Sequence, residues 1–120
     1  MRKSLSALAV VLAGTTSAGA VEESNYLLTT AGDLGALCGA PSDASAIHMC
    51  HGFLVGVHRM HLEIADAMGV AVYCIPKDGS ITRDSVAAGL SSWISSDATI
   101  GDMKPAEAVI TWAKTIHPCK

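Results

Sequence analysis

Four cysteines behind an apolar N-terminal segment constrain this chain more than any other feature. Cys38, Cys50, Cys74 and Cys119 are all the cysteines in its 120 residues. An even number of cysteines in a small exported domain is typical of a disulfide framework, and here it predicts two bridges. Because no two of them have Cys-x-x-Cys spacing, we expect cross-links rather than a zinc site.

The first twenty residues have the pattern of a cleaved secretory signal. Arg2 and Lys3 form a positive start, residues 5–12 an apolar run, and Ala18-Gly19-Ala20 an A-x-A-like cleavage site. The apolar run is shorter than the roughly 20 residues that span a bilayer. We therefore predict a signal peptide over residues 1–20, export to the periplasm, one mature domain over residues 21–120 and no membrane insertion after cleavage.

The charge balance of the mature chain excludes one class of partner. Without Arg2 and Lys3, six of the eight Lys and Arg residues remain against eleven Asp and Glu. Nucleic-acid-binding proteins instead concentrate positive charge on one face. An acidic surface suits a basic protein partner.

Capping residues and apolar spacing predict four main helices. Thr30 and Thr82 are typical N-caps, and Gly39 and Gly69 are typical helix stops. Pro105 stands where the first turn of a helix tolerates proline. The predicted helices cover Ala31–Cys38, Ala44–Met68, Arg83–Ser95 and Pro105–Ile116.

The longest predicted helix carries a continuous apolar stripe. Apolar residues recur there at three- and four-residue steps, which predicts one side packed against several shorter helices. Gly52 and Gly56 predict close packing of a neighbouring helix. The stripe consists of Ile47, Cys50, Leu54, Val57, Ile64 and Met68, widened by Phe53 and Met60.

The connections complete the predicted fold. Residues 70–76 (V-A-V-Y-C-I-P) are too few for a helix between Gly69 and Pro76, so they are predicted to be extended and buried. Residues 77–80 predict a turn, and residues 95–103 a polar loop. The sequence thus predicts an all-α fold: a small bundle of four main helices with one short extended segment and two disulfides.

Three pairings of the four cysteines are possible. A Cys38–Cys50 bridge would clamp two consecutive helices at their joint, and a Cys74–Cys119 bridge would hold a C-terminus that otherwise frays. We favour this combination, although the sequence also permits the crossed pairings. Each bridge is expected to contribute about 3–4 kcal/mol.

The five histidines do not combine into a recognisable active site. The pairs His48/His51 and His58/His61 lie about 15 Å apart along one helix, so they cannot share a metal ion. A Cys50/His51 nucleophilic pair is excluded because adjacent helical residues diverge and the cysteine is expected to be oxidised. We therefore predict no enzyme, cofactor or metal. His61 is expected to be a hydrogen-bonded core residue, and histidines can also sense pH.

The order of the cysteine-framed motifs resembles the Rap1a/Tai family of immunity proteins. The motifs are C-x11-C-H-G-F-L-V-G from Cys38 to Gly56, Y-C-I-P at residues 73–76, T-R-D-S-V at residues 82–86, Trp93, K-P-A-E-A-V at residues 104–109 and H-P-C at residues 117–119. The resemblance covers nearly the whole mature chain.

This resemblance implies a periplasmic helical protein, often a homodimer, that blocks a peptidoglycan amidase delivered by a type VI secretion system. The block would be steric, by docking over the catalytic cleft of the secreted cell-wall amidase. An acid-stress periplasmic chaperone and an accessory periplasmic protein without a toxin partner are the alternatives. Our candidate contact residues lie in two polar loops: Lys77, Asp78, Ser80 and Arg83 in one, and Ser95, Ser96, Asp97, Asp102 and Lys104 in the other.

Overall fold

The described part of the protein is helical, as the sequence predicts. A computed structural model describes residues 20–120, so the predicted signal peptide, apart from Ala20, lies outside the described residues. A short 3₁₀ helix (Glu23–Leu27) precedes five α-helices. These are α1 (Ala31–Cys38), α2 (Ala44–Met68), α3 (Arg83–Ser95), α4 (Ala98–Gly101) and α5 (Pro105–Ile116).

The ends of the four main helices coincide with the predicted ends because local chemistry sets them. Thr30 accepts a hydrogen bond from the Asp33 amide, and the Asp33 carboxylate accepts one from the Thr30 amide at 3.0 Å. This reciprocal pair satisfies two amides at the start of α1 that have no intrahelical partner. Thr82 caps α3 in the same way, with Ser85 as its partner. Gly69 ends α2 with a φ of 71°, a left-handed conformation that glycine adopts without strain.

The loop predicted over residues 95–103 contains the short helix α4. Asp97 caps it by accepting a 2.8 Å hydrogen bond from the Thr99 amide. A single helical turn is too short to show an apolar period, so the periodicity test missed it.

The core lies where α1 packs against α2, α3 and α5. The Cys38–Cys50 disulfide is part of this core and joins α1 to the beginning of α2. The fully buried larger side chains are Leu34, Leu37, Leu90, Cys38 and Cys50.

Two glycines of α1 allow α3 to approach closely. A methyl group on Gly39 would lie 2.6 Å from Ser91 Oγ, and one on Gly35 would lie 3.0 Å from a methyl group of Ile94. Gly39 itself has an ordinary φ of −85°. Glycine is therefore needed at this position for space and not for a left-handed exit.

The close packing predicted around Gly52 and Gly56 is wrong. A methyl group at either position would meet nothing within 4 Å. The same small-x-x-x-small pattern occurs at Gly35 and Gly39, where a helix does pack against it. The pattern permits a close approach, but the rest of the fold decides which glycine pair is used.

Both favoured disulfides are present. Cys38 and Cys50 are joined across 12 residues, and Cys74 and Cys119 across 45. The second bridge holds the C-terminus against residues 70–76, where the Cys74 amide also donates to the His117 carbonyl at 2.8 Å. Such bridges fit an oxidising compartment. Within residues 20–120, no helix is both long and apolar enough to cross a membrane.

Candidate functional site

The last turns of α2 extend beyond the other helices and expose the apolar stripe. With 25 residues α2 is about 37 Å long, whereas α3 with 13 residues is about 20 Å long. Ile64 and Met68, which we predicted to be buried, are 50% and 72% exposed, and Met60 is exposed as well. The prediction was wrong here because no described part of the chain covers these side chains. The predicted spacing of the stripe is correct, but the predicted burial of its last turns is wrong.

Residues 70–76 are not helical, as predicted, but they contain a bend at Val72 and most of them are not buried. Val70 is 69% exposed and Val72 is also exposed, whereas Tyr73 is 3% exposed. The segment thus attaches to α2 through one aromatic side chain while its valines face solvent. We call the exposed residues Met60, Ile64, Met68, Val70 and Val72 the outer apolar surface.

A cluster of aromatic rings attaches this segment to α2. The His61 ring stacks on the Tyr73 ring with centroids 3.9 Å apart, and the Val72 amide donates to His61 Nε2 at 3.0 Å. His58 lies one turn earlier, with Nδ1 3.0 Å from the Tyr73 hydroxyl. We call His58, His61, Tyr73 and the Val72 amide the histidine–tyrosine latch.

The latch confirms His61 as a buried, hydrogen-bonded histidine. The residue is 7% exposed, and its Nδ1 atom has no hydrogen-bond partner among the described residues. Tyr73 was not among the residues singled out from the sequence. The available signal was a tyrosine in a short segment directly after a helix that carries two histidines three residues apart.

Burial sets the protonation states of the other two latch side chains. It lowers the pKa of His58, and the positive charges that His61 and Arg59 can carry lower it further. Burial also raises the pKa of Tyr73, so its hydroxyl keeps its proton while it shares a hydrogen bond with His58 Nδ1, in which the His58 tautomer decides the donor. In the folded protein His58 is therefore neutral over a wider pH range than a free histidine.

The nine predicted contact residues are all exposed, but they form two separate groups. Residues 77–83 lead into α3 and end at its first residue, whereas residues 95–104 start at its last residue. About 18 Å of helix separates Arg83 from Ser95. The first group directly follows the outer apolar surface in the chain, whereas the second lies at the opposite end of α3.

Several of these polar side chains shape the backbone beside them. Asp78 accepts hydrogen bonds from the amide and hydroxyl of Ser80, and these bonds lower the pKa of its carboxyl group. The bonds that Thr99 donates to Asp97 lower the pKa of that carboxyl group in the same way. Both carboxylates are thus kept charged while they stabilise turns.

A second histidine environment lies in a cleft of about 650 Å³ between α2 and α3. His51 Nε2 is 3.3 Å from Asp84 Oδ1 without forming a hydrogen bond, so the two side chains are an ion pair only when His51 is protonated. His48 also lines this cleft. No three potential ligands converge on a metal site within the part of the chain that the structure describes.

Comparison of the chain with family models, curated proteins and solved structures gives no match. The resemblance to the Rap1a/Tai family therefore stays a prediction.

Proposed function

We propose that this protein is a periplasmic immunity protein that binds a secreted peptidoglycan amidase and blocks it sterically. The observation that carries protein binding is the outer apolar surface on a disulfide-bonded scaffold. Contiguous exposed apolar residues with a polar rim are typical of protein-interaction sites. The motif order quoted above supplies the class of partner, an amidase delivered by a type VI secretion system.

The contact surface that we propose combines the outer apolar surface with the loop at residues 77–83. Lys77, Asp78, Ser80 and Arg83 follow Val72 closely in the chain and supply a polar rim. An apolar centre with a charged rim has the composition of a stable protein interface. Residues 95–104 lie at the opposite end of α3 and are not part of the surface that we propose.

Steric inhibition fits the construction of this surface. A protein that covers an enzyme's cleft needs a shape that persists when the partner is absent, because ordering a flexible surface on binding weakens affinity. The Cys74–Cys119 bridge holds residues 70–76 beside the C-terminus. The inhibitor needs no catalytic group of its own.

The test uses the mature protein and a papain-like amidase encoded beside its gene, with peptidoglycan hydrolysis as the readout. We expect an equimolar amount of the protein to stop hydrolysis. Met68→Lys should weaken inhibition by at least about tenfold, since it places a charge in the apolar centre. The matched control is Val55→Lys, because Val55 is exposed on the same helix but lies about 180° around it from Ile64.

Undiminished hydrolysis at a large molar excess of the wild-type protein would contradict an immunity function. Equal inhibition by the wild type and Met68→Lys would exclude the proposed surface alone. A pull-down with secreted effectors that recovers no stoichiometric partner would favour an accessory periplasmic protein.

We also propose that the free protein forms a homodimer through the outer apolar surface. A second copy would cover the exposed valines and methionines until the amidase arrives. Sedimentation velocity should show a dimer for the wild type and for Val55→Lys, and a monomer for Met68→Lys. A monomeric wild type at high concentration would contradict this assignment.

An acid-stress chaperone is the second candidate function, and one observation favours it. The outer apolar surface lies directly beside two buried or half-buried histidines, and acid-activated chaperones expose apolar surface when they are protonated. Binding of a surface dye that rises sharply between about pH 5 and 3, with suppression of client aggregation, would favour this function over immunity. Amidase inhibition at neutral pH would favour immunity.

A further inference from the structure

The hydrogen bond between Val72 and His61 fixes which imidazole nitrogen carries the proton. The Val72 amide can only donate, so His61 Nε2, 3.0 Å away, must accept and must be unprotonated. The single proton of the neutral ring is therefore on Nδ1. That atom is buried and has no acceptor among the described residues.

A second proton on His61 would remove the acceptor that holds Val72. It would have to bind at Nε2, so that two N–H groups would point at each other in a site that is 7% exposed. A buried donor that loses its acceptor is destabilising, and a buried charge without a partner is more so. The folded latch therefore requires neutral His61.

The groups around His61 do not compensate for an added positive charge. From α2 it faces His58, with ring centroids 6.3 Å apart, and from residues 70–76 it faces the phenol ring of Tyr73. Arg59 adds positive charge beside His58. No carboxylate of residues 20–120 lies within ion-pair distance of His61, whereas His51 has Asp84 at 3.3 Å.

We propose that the histidine–tyrosine latch opens in acid, through protonation of His61, and releases residues 70–73 from α2. Release exposes the buried Tyr73 ring, which adds to the outer apolar surface. The Cys74–Cys119 bridge and the Cys74–His117 hydrogen bond keep the released segment attached to the C-terminus. The opening of the latch does not depend on which partner the outer apolar surface binds.

The first measurement is the tautomer of His61, read from its imidazole nitrogen shifts by NMR at neutral pH. We expect the Nδ1–H form, which leaves Nε2 as the acceptor. The Nε2–H form would overturn the proposal. This measurement uses the wild-type protein and requires no variant to fold.

The second measurement is the hydrogen-exchange protection of the Val72 amide, corrected for the intrinsic exchange rate at each pH. Between pH 7 and pH 5, protection should fall by about tenfold in the wild type. His61→Gln can still accept the Val72 hydrogen bond but does not titrate, so its Val72 protection should change less with pH than that of the wild type, with only the contribution of His58 remaining. His48→Gln, at an exposed histidine on another face of α2, should behave like the wild type.

Constant Val72 protection in the wild type over this range would overturn the proposal. The same would follow if His61→Gln retained the full pH dependence of the wild type. If His61→Gln does not fold, the wild-type protection profile and the tautomer still decide between the outcomes.

Discussion

The two ends of α2 lie in different surroundings although they belong to one continuous helix. The first half contributes Cys50 to the buried Cys38–Cys50 bridge and packs against α1 and α3. We call the first half of α2, together with α1 and α3, the bundle end. The last turns, together with residues 70–76 and the C-terminal Cys119, form the outer end, which is held by a disulfide between two exposed residues.

This difference shows that one apolar stripe can serve two purposes. Cys50 and Leu54 at the bundle end, and Ile64 and Met68 at the outer end, follow one spacing on one face of α2. Neighbouring helices cover the first pair, and no described helix covers the second. We infer that the bundle end maintains the fold, whereas the outer end is available for binding and for a response to pH.

The largest expected contrast is in core packing. Leu90→Ala should lower the free energy of unfolding by about 3–5 kcal/mol, because Leu90 is fully buried at the bundle end and truncation leaves a cavity. Met68→Ala at the outer end should change it by no more than about 0.5 kcal/mol. Urea unfolding followed by tryptophan fluorescence measures both values. Similar losses for the two variants would mean that the outer end is packed in solution.

The two disulfides should differ strongly in their reactivity with reductant. Cys74 and Cys119 are exposed, whereas Cys38 and Cys50 are 2% and 0% exposed. A thiolate must reach a sulfur atom to reduce the bridge, so we expect Cys74–Cys119 to be reduced at least about a hundredfold faster. Alkylation of the partly reduced protein followed by mass spectrometry identifies the order. Simultaneous reduction would contradict the separation into two ends.

Glycine substitutions should have opposite effects at the close contact and at the open positions. Gly39→Ala should destabilise the protein by about 1–2 kcal/mol, because the added methyl group collides with Ser91 Oγ, which is already hydrogen-bonded to the Gly35 carbonyl. Gly52→Ala should instead stabilise it by up to about 1 kcal/mol, since alanine favours the helix and space is free. Thermal unfolding compares the pair. A destabilising Gly52→Ala would indicate an unseen neighbour at that face.

Acid should affect the two ends in different pH ranges. The pKa of His58 is lowered, so the folded outer end binds a proton less readily than the unfolded chain and loses stability as pH falls below the ordinary value of 6.5. The pKa of Asp33 at the bundle end is also lowered: burial opposes this, but hydrogen bonds from Asn25, Thr30 and Thr29 outweigh it. Its contribution is present above 3.8 and is lost as pH falls below that value.

This acid effect is the smallest of the four. We expect less than about 1 kcal/mol from Asp33, which is partly exposed at a helix cap. Asp33→Asn should reduce the stability change below pH 3.8, to which Asp78 and Asp97 also contribute, without altering the change below 6.5, and His58→Gln should weaken the latter. Unfolding curves measured across this range provide the test. If stability changed with pH in a single transition that both substitutions shifted equally, the two ends would not respond to acid independently.

The features that the sequence predicts correctly are local. Thr30, Thr82 and Gly69 mark helix ends through hydrogen bonds or backbone conformations within a few residues. The favoured disulfide pairing is also correct, because Cys38 and Cys50 flank one short connection and the C-terminus needs a tether. The outer apolar surface was missed because the spacing of Ile64 and Met68 indicates an apolar face without indicating what covers it.

The candidate site depends mainly on contacts between distant segments. The sequence identified His61 as a core histidine, but Tyr73 and the Val72 amide, 11 residues away from His61, became partners only through the path of the chain after Gly69. The contact loops were correctly placed at the surface, and the predicted helix Arg83–Ser95 already puts them at opposite ends of α3. Their separation follows from the length of that helix.

The sequence by itself determined the helices, their caps and the cysteines available for cross-linking, since each depends on residues within one or two turns. The tertiary structure alone decided which part of the α2 stripe is covered, which glycines contact a neighbour and which histidine accepts a hydrogen bond from a distant backbone amide. The physical reason is range: capping and periodicity act over a few residues, whereas burial depends on segments that the fold brings together from far apart in the chain.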